Sequence, residues 1–343
     1  MARRILTLVA LSVAGLGLMA GPALADCNGG LIAFNHEAVL VKATSMAAWV
    51  NGYEHYVTGF EFTGPATSFG YIIPLPGVPS KIQKGGSWTL ERLQGEIGEG
   101  PLAPRSPELF HANALASSSV QVIQQVKIDS LNVTVVKGGG PDVAAWARQN
   151  GFDLSPDAPQ VLGAYANEGA IFALAKYDAS QALSDGLVGG GVVVQFTIPT
   201  PAPWMPLRIL AFGKAPNEYV NSDLFVLTED RPTFYPAVDG MIGMQIRASE
   251  PASTGLLSDL RGDSGMSWLP PRGMWFTALT LHAPASAVTH DLSIDGGGLI
   301  PGTPIGTPIP NSPDWSLWGR SSRGALPSSA PQAASELARP DRS

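Results

Sequence analysis

Four consecutive residues, Gly262-Asp263-Ser264-Gly265, match the glycine-flanked nucleophile pattern of serine hydrolases. In such a site the glycines let backbone N–H groups gather around a developing oxyanion, and a histidine earlier in the chain takes the serine proton. His36, His55 and His111 all precede Ser264. His55, in Tyr53-Glu54-His55-Tyr56, is the least unsuitable base, although it lacks the small residues and cysteine that usually frame one. Met266 stands where a further glycine is usual. A tight Asp-Ser-Gly turn is the competing reading of the same residues.

Other groups are weighed in the same way. Arg261-Gly262-Asp263 spells an integrin-binding tripeptide, a match short enough to arise by coincidence. Five histidines and one cysteine are a thin supply for a metal centre. In His36-Glu37, Glu54-His55 and His290-Asp291 the two side chains would point to opposite faces of a strand. Asp291 and Asp295 are a weak loop-carboxylate alternative for calcium, so no metal and no cofactor are expected. The triplets Gly138-Gly139-Gly140, Gly189-Gly190-Gly191 and Gly296-Gly297-Gly298 lack the Lys-Ser/Thr or strand-to-helix setting of a phosphate loop and read as flexible turns. The sequon Asn132-Val133-Thr134 lies inside an alternating strand pattern, which argues against a glycan. Trp204, Trp268, Arg272 and Trp275 would form an aromatic and cationic binding surface if exposed, and ordinary core if not.

The elements that must position these groups are set by composition. The chain has 39 Gly and 30 Pro among 343 residues, which excludes a mostly helical protein. Only 14% of residues are charged and 45% are hydrophobic, enough apolar material for a sizeable core and too much for a generically disordered chain. Short runs rich in Val, Ile, Phe and Tyr predict strands at Ala38–Val41, Tyr53–Phe62, Phe69–Ile73, Val120–Val136, Ile171–Tyr177, Val192–Ile198, Leu207–Phe212 and Leu224–Thr228. Helices are expected from Ser87, as N-cap, through Ile97, from Pro141 to a stop at Asn150-Gly151, and from Pro159 to Ala166. Strand and helix do not alternate as a doubly wound sheet requires, so the expected class is α+β, mainly antiparallel β with a few short packed helices. Phe60–Pro74 and Val194–Ile209 share a strand, proline turn, strand grammar that suggests two hairpins and two related lobes, 26–140 and 141–300.

Both ends of the chain read differently from its body. Arg3-Arg4, an apolar run from Ile5 to Met19 and Ala23-Leu24-Ala25 have the order of a secretory signal peptide, and the run is short for a membrane span. Removing residues 1–25 takes away two arginines and no acid, moving the formal charge from -7 to -9, which makes nucleic acid an unsuitable partner. Cys27 is the single cysteine, so no internal disulfide forms; a lipoprotein cut before Cys27 is the alternative, poorly served by Asp26. The mature chain has no further apolar stretch of spanning length. From Pro301 the chain is rich in Pro, Ser and Ala and reads as a disordered tail, with Trp315 and Trp318 as either a tucked element or a partner motif.

Several segments, taken in order, resemble a known family. They are Phe69-Gly70-Tyr71-Ile72-Ile73-Pro74-Leu75-Pro76-Gly77-Val78-Pro79, Trp146 to Leu154, Tyr165, Phe172 to Lys176, and Met205-Pro206-Leu207-Arg208-Ile209. Together they resemble the bacterial extracytoplasmic family catalogued as domain of unknown function 2330, over roughly Cys27 to Pro236. The resemblance implies secretion, or surface attachment in some members, and brings no activity or catalytic residues. Pro74, Pro76 and Pro79 withdraw three backbone donors, so an extended rim at a sheet edge is expected there.

The functional expectation is an exported, extracytoplasmic envelope protein that works by binding an envelope or extracellular partner without catalysis. A secreted hydrolase using Ser264 and His55, and a purely structural envelope component, are the alternatives.

Overall fold

A computed structural model describes residues 27–28, 31–33, 39–63, 69–98, 120–177 and 193–295. The signal-like segment, His36, His111, the second and third glycine triplets and the tail from Pro301 lie outside these residues.

Among the described residues, three sheets and four short helices make the body. The first sheet has the order β1-β2-β5-β9-β8-β7, with β1 Cys27–Asn28, β2 Leu31–Ala33, β5 Phe69–Leu75, β7 Gln121–Ile128, β8 Leu131–Lys137 and β9 Ile171–Tyr177. The second has seven strands, β14-β15-β12-β3-β4-β10-β6. These are β3 Val39–Val50, β4 Tyr53–Thr63, β6 Lys81–Lys84, β10 Val194–Pro199, β12 Tyr219–Thr228, β14 Met244–Pro251 and β15 Trp275–Pro284. A small third sheet, β11-β16-β13, joins Trp204–Met205, Leu292–Asp295 and Thr233–Tyr235. All pairings are antiparallel except β3 with β12. The helices are α1 Ser87–Glu96, α2 Gly140–Gln149, α3 Ala158–Asn167 and α4 Thr254–Gly262. The α+β class holds.

Both large sheets take strands from either side of residue 140, so the division into lobes 26–140 and 141–300 would cut through each of them. The two hairpins do not form either: β4 and β5 belong to different sheets, and Arg208–Ala211 is a turn of 3₁₀-helix rather than a strand. Pro74 is tolerated inside the first sheet because β2 pairs only with Phe69–Tyr71, leaving the Pro74 side of β5 without that neighbour.

Alternation along β3 explains why the seven-stranded sheet is covered twice. Ala43 and Ala47 join the main core with Tyr56, Phe60, Phe172, Phe196 and Leu224, between the sheets. Met46, Ala48 and Val50 face the other way, into a second core closed by Leu90 and Leu93 of α1 and Leu256, Leu257 and Leu260 of α4. On the far side of the main core, α2 and α3 approach closely. A Cβ on Gly140 would stand 2.1 Å from the backbone nitrogen of Gly163, so only glycine permits that crossing.

One helix start differs from expectation, and one helix was not expected. The N-cap of α1 is Gly86, and Thr89 N–H is satisfied by the Asp263 carboxylate at 2.7 Å, from 174 residues away. Helix α4 is capped by Ser253, whose Oγ accepts from Leu256 N at 3.0 Å.

Candidate functional site

The seven-stranded sheet places ionisable groups on both of its faces. On the outer face, α1 and α4 cover only the apolar middle. Toward the ends of β3, β12, β15 and β14, the outward residues turn polar: Lys42 on β3, Asn221 and Asp223 on β12, Thr280 and His282 on β15, Gln245 on β14. Asp223 is paired in register with Thr280 on one side and Thr44 on the other, Asn221 with His282, and Gln245 with Thr280. The result is a trough of about 500 Å³, within the usual size range of small-molecule sites.

Its floor is an ion pair. Lys42 Nζ lies 2.5 Å from Asp223 Oδ2, with Asp223 almost fully buried, and Gln94 at the end of α1 donates to both Asp223 Oδ2 (3.1 Å) and Thr44 Oγ1 (3.3 Å). One wall is His282, whose Nδ1 lies 2.6 Å from Asn221 Oδ1 and whose ring stacks on Tyr219 at 4.5 Å. The Asn221 amide also donates to Val41 O at 3.5 Å, which leaves Oδ1 to accept and the imidazole Nδ1 to donate. That arrangement leaves Nε2 as the ring's acceptor when the imidazole is neutral. The opposite wall is Arg247. It is the extra residue where the β14–β15 register shifts between Ile246 and Ala248, and such a bulge re-aims a side chain. Among the described residues Arg247 makes no ion pair and no hydrogen bond through its side chain. Gly243 closes the end: it has φ +74°, and a Cβ there would meet the carbonyl oxygen of His282 at 2.1 Å.

The core on the inner side of this sheet holds a different group, carried not by its strands but by α3, the 3₁₀ turn Arg208–Ala211 and the residue before β16. Arg208 is 2% exposed and Asp291 is fully buried. Asp291 Oδ1 accepts from Leu207 N (2.7 Å), Arg208 N (2.9 Å) and the Tyr165 hydroxyl (2.9 Å), while Oδ2 accepts from Arg208 Nε (2.8 Å) and Nη2 (2.6 Å). Arg208 also holds Glu168 at 2.9 Å and lies over the Tyr165 ring at 4.3 Å. Burial works against its charge, and Asp291, Tyr165 and Glu168 more than reverse that, keeping the guanidinium firmly protonated. Burial and the neighbouring Asp291 likewise drive the Tyr165 hydroxyl up, so it stays neutral. Every strong acceptor position of Asp291 is used, leaving nothing for a ligand.

The sequence-derived site residues fall in three places. Trp204 is 2% exposed, a core side chain on β11 whose backbone N–H donates to Glu54 Oε1 at 3.2 Å, so it contributes no surface. Burial raises the Glu54 carboxyl well above the ordinary range, against the hydrogen bond from Trp204 N–H. His55 and Ser264 form no hydrogen-bonded nucleophile–base pair among the described residues. The His55 ring lies flat against Trp268, centroids 3.5 Å apart and 5° from parallel, and its Nδ1 faces Thr197 Oγ1 at 3.4 Å. Burial, then the Lys81 charge, pushes the imidazole down to about 4. Ser264 is exposed, its N–H held by Asp263 Oδ1 at 2.7 Å, and among the described residues no hydrogen bond joins it to His55. Asp263, in the tripeptide, is taken up by Thr89, while Arg261 holds the carbonyls of Ser267 and Leu269. Trp268 is therefore a half-buried latch for this loop. Arg272 is exposed, and Trp275 is half-buried with its Nε1 donating to Ser249 Oγ at 3.0 Å. No three His, Cys, Asp or Glu side chains converge as a metal site among the described residues.

None of the trough residues was singled out from sequence. They come from four strands that are neighbours only in the folded sheet. The one local signal is Asn221-Ser222-Asp223 running directly into Leu224-Phe225, a strand whose outward positions change from polar to apolar part-way along.

The family model described as "Uncharacterized protein conserved in bacteria (DUF2330)" matches residues 22–247. The chain belongs to this family. The match ends within β14, yet β15 lies between β14 and β12, and β15 and β16 carry Thr280, His282 and Asp291. Both polar groups thus need residues beyond the matched segment. No curated protein matches the chain. Among solved structures, it is similar to a mutated baculovirus P35 after caspase cleavage, at 8% identity over 73% of this chain and 98% of that one, with a TM-score of 0.40. It is also similar to baculovirus P35, at 7% identity over 63% and 76%, with a TM-score of 0.33.

Proposed function

We propose that this family member is exported from the bacterial cytoplasm by its N-terminal segment, with cleavage after Ala25, and acts as a non-catalytic binding module whose ligand site is the outer trough. The observation that carries the binding assignment is Arg247, a guanidinium lining a polar concavity with no protein partner among the described residues. Arg247 is exposed, so its guanidinium is open to a ligand, whereas the buried Arg208 spends its charge on Asp291 and Glu168. The charge-order-small pattern of residues 1–25 supports export. The serine-hydrolase alternative is weakened because, among the described residues, Ser264 has no base at hydrogen-bond reach and His55 is turned to Thr197 and Trp268.

Export is tested by intact mass of the protein from medium, periplasm and membrane of the producing cell. A soluble species beginning at Asp26 is expected, and a species retaining residues 1–25, or one lipidated at Cys27, overturns the cleavage assignment. Binding is tested by hydrogen exchange of the purified protein with and without a low-mass extract of the envelope. Slower exchange confined to residues 41–44, 221–223, 243–247 and 280–282 is expected; protection only elsewhere rejects the trough.

A further inference from the structure

The trough is polarised, and the polarity restricts what fits. At its deep side the buried Asp223 is taken up by Lys42 and Gln94, so the floor offers no unbalanced charge. Such a floor suits the uncharged part of a ligand. Thr280 and Gln245 add further hydrogen-bonding side chains, and neither makes a side-chain hydrogen bond among the described residues. His282 presents Nε2 as an acceptor when neutral, again a partner for a hydroxyl. At the rim stands Arg247, the lining group whose charge no described residue balances. A planar guanidinium takes a carboxylate through two parallel hydrogen bonds, a geometry a single ammonium cannot offer. A phosphate dianion fits less well, since the buried Asp223 carboxylate and one unpaired cation leave its second charge uncompensated. Tyr219, 52% exposed and stacked on His282, extends the wall as an amphipathic aromatic ledge on which a sugar ring can lie.

Building on the reading of the trough as a binding site, we infer that its ligand is a hydroxylated monocarboxylate of the uronic acid kind, with the carboxylate on Arg247 and the hydroxyls toward Thr280, Gln245 and His282. The same chemistry is offered by a free sugar acid and by a residue within an acidic polysaccharide. Arg247 sits on β14, the outermost strand of the seven-stranded sheet, so the carboxylate end of the trough lies at a sheet edge.

The test is calorimetric titration of the full-length mature protein with galacturonate, with galactose as the neutral counterpart, with glucose 6-phosphate, and with oligogalacturonate, each repeated on Arg247→Ala and Arg247→Lys. Galacturonate is expected to bind at least about tenfold more tightly than galactose, as a charge-assisted hydrogen-bond pair requires. Arg247→Ala should erase that preference, and Arg247→Lys should restore only part of it. Oligogalacturonate binding more tightly than the monomer marks a polysaccharide source, and equal binding a free acid. Equal affinity for galactose and galacturonate, stronger binding of the sugar phosphate, or an unchanged preference in Arg247→Ala overturns the carboxylate inference. Hydrogen exchange with saturating galacturonate separates the two levels: protection at 243–247 and 280–282 with no Arg247 dependence keeps the trough and rejects the carboxylate. No protection with any of these sugars rejects the inference, while the envelope-extract experiment decides the trough independently.

Discussion

The core on the inner side of the seven-stranded sheet and the outer face of that sheet put similar residue types to opposite ends. On the inner side, Arg208, Asp291, Glu168 and Tyr165 form a group in which Asp291 takes five short hydrogen bonds and Arg208 is 2% exposed. On the outer face, Lys42, Asp223, His282 and Arg247 also combine acid, base and aromatic neighbour, yet the trough stays open and Arg247 lines it unpaired. Residue type does not separate a structural cluster from a binding one here. What separates them is the fate of the cation: Arg208 is buried and spends its hydrogen bonds within the protein, whereas Arg247 is exposed and spends none among the described residues.

The largest way to break this comparison is at Asp291. Asp291→Ala leaves Arg208 charged, buried and without its main partner, so a loss of about 3–5 kcal/mol is expected in urea unfolding. A loss below 1 kcal/mol, on the order of a surface pair, would put the inner cluster in the same class as the trough. Gly140→Ala probes the packing behind the inner face. The new Cβ cannot coexist with Gly163 N at 2.1 Å, so α2 and α3 must separate, and about 1–3 kcal/mol of destabilisation is expected in the same measurement.

Asp263→Ala removes the distant cap of α1, the helix that bounds the trough through Gln94. A cost of about 0.5–2 kcal/mol is expected, and hydrogen exchange should quicken first in residues 87–96. A pH series sharpens the account of the Trp268 latch. His55 is held down to about 4 against an ordinary 6.5, so the unfolded chain takes up its proton first. Its contribution to stability is complete above pH 6.5 and is lost as pH falls toward 4. His55→Asn should flatten that part of the stability profile, whereas identical slopes in both proteins would contradict a neutral, stacked imidazole. Arg247→Ala should change stability least, by no more than about 0.5 kcal/mol.

The sequence made the local elements plain where local chemistry decides them. Pro141 and Asn150-Gly151 bracket α2, and β9 runs over the expected Ile171–Tyr177, its apolar run reflecting burial along nearly its whole length. It was misleading where tertiary context overrides propensity. The stretch Lys42-Ala43-Thr44-Ser45-Met46-Ala47-Ala48 carries helix-favouring residues, yet it is the centre of β3, where small side chains let sheets and helices close on both faces. Leu207–Phe212 looks like a strand but turns in 3₁₀ geometry, because Asp291 gathers the N–H groups of Leu207 and Arg208. Helix α4 was legible in Ser253 followed by Leu256, Leu257 and Leu260 and was missed beside the more conspicuous Asp-Ser-Gly turn. The trough was not legible, since Lys42, Asp223, Arg247 and His282 are brought together only by strand order.

The central claim is that the inner cluster holds the fold while the outer trough is reserved for a ligand. A galacturonate titration followed by amide resonances, run on the wild type and on Arg247→Ala with the urea midpoint recorded for each, addresses it most directly. The account predicts saturable shifts confined to β3, β12, β14 and β15 around the trough, lost in a variant whose midpoint is unchanged. Shifts centred on Tyr165, Arg208 and Asp291, or a variant that loses stability along with binding, would contradict it.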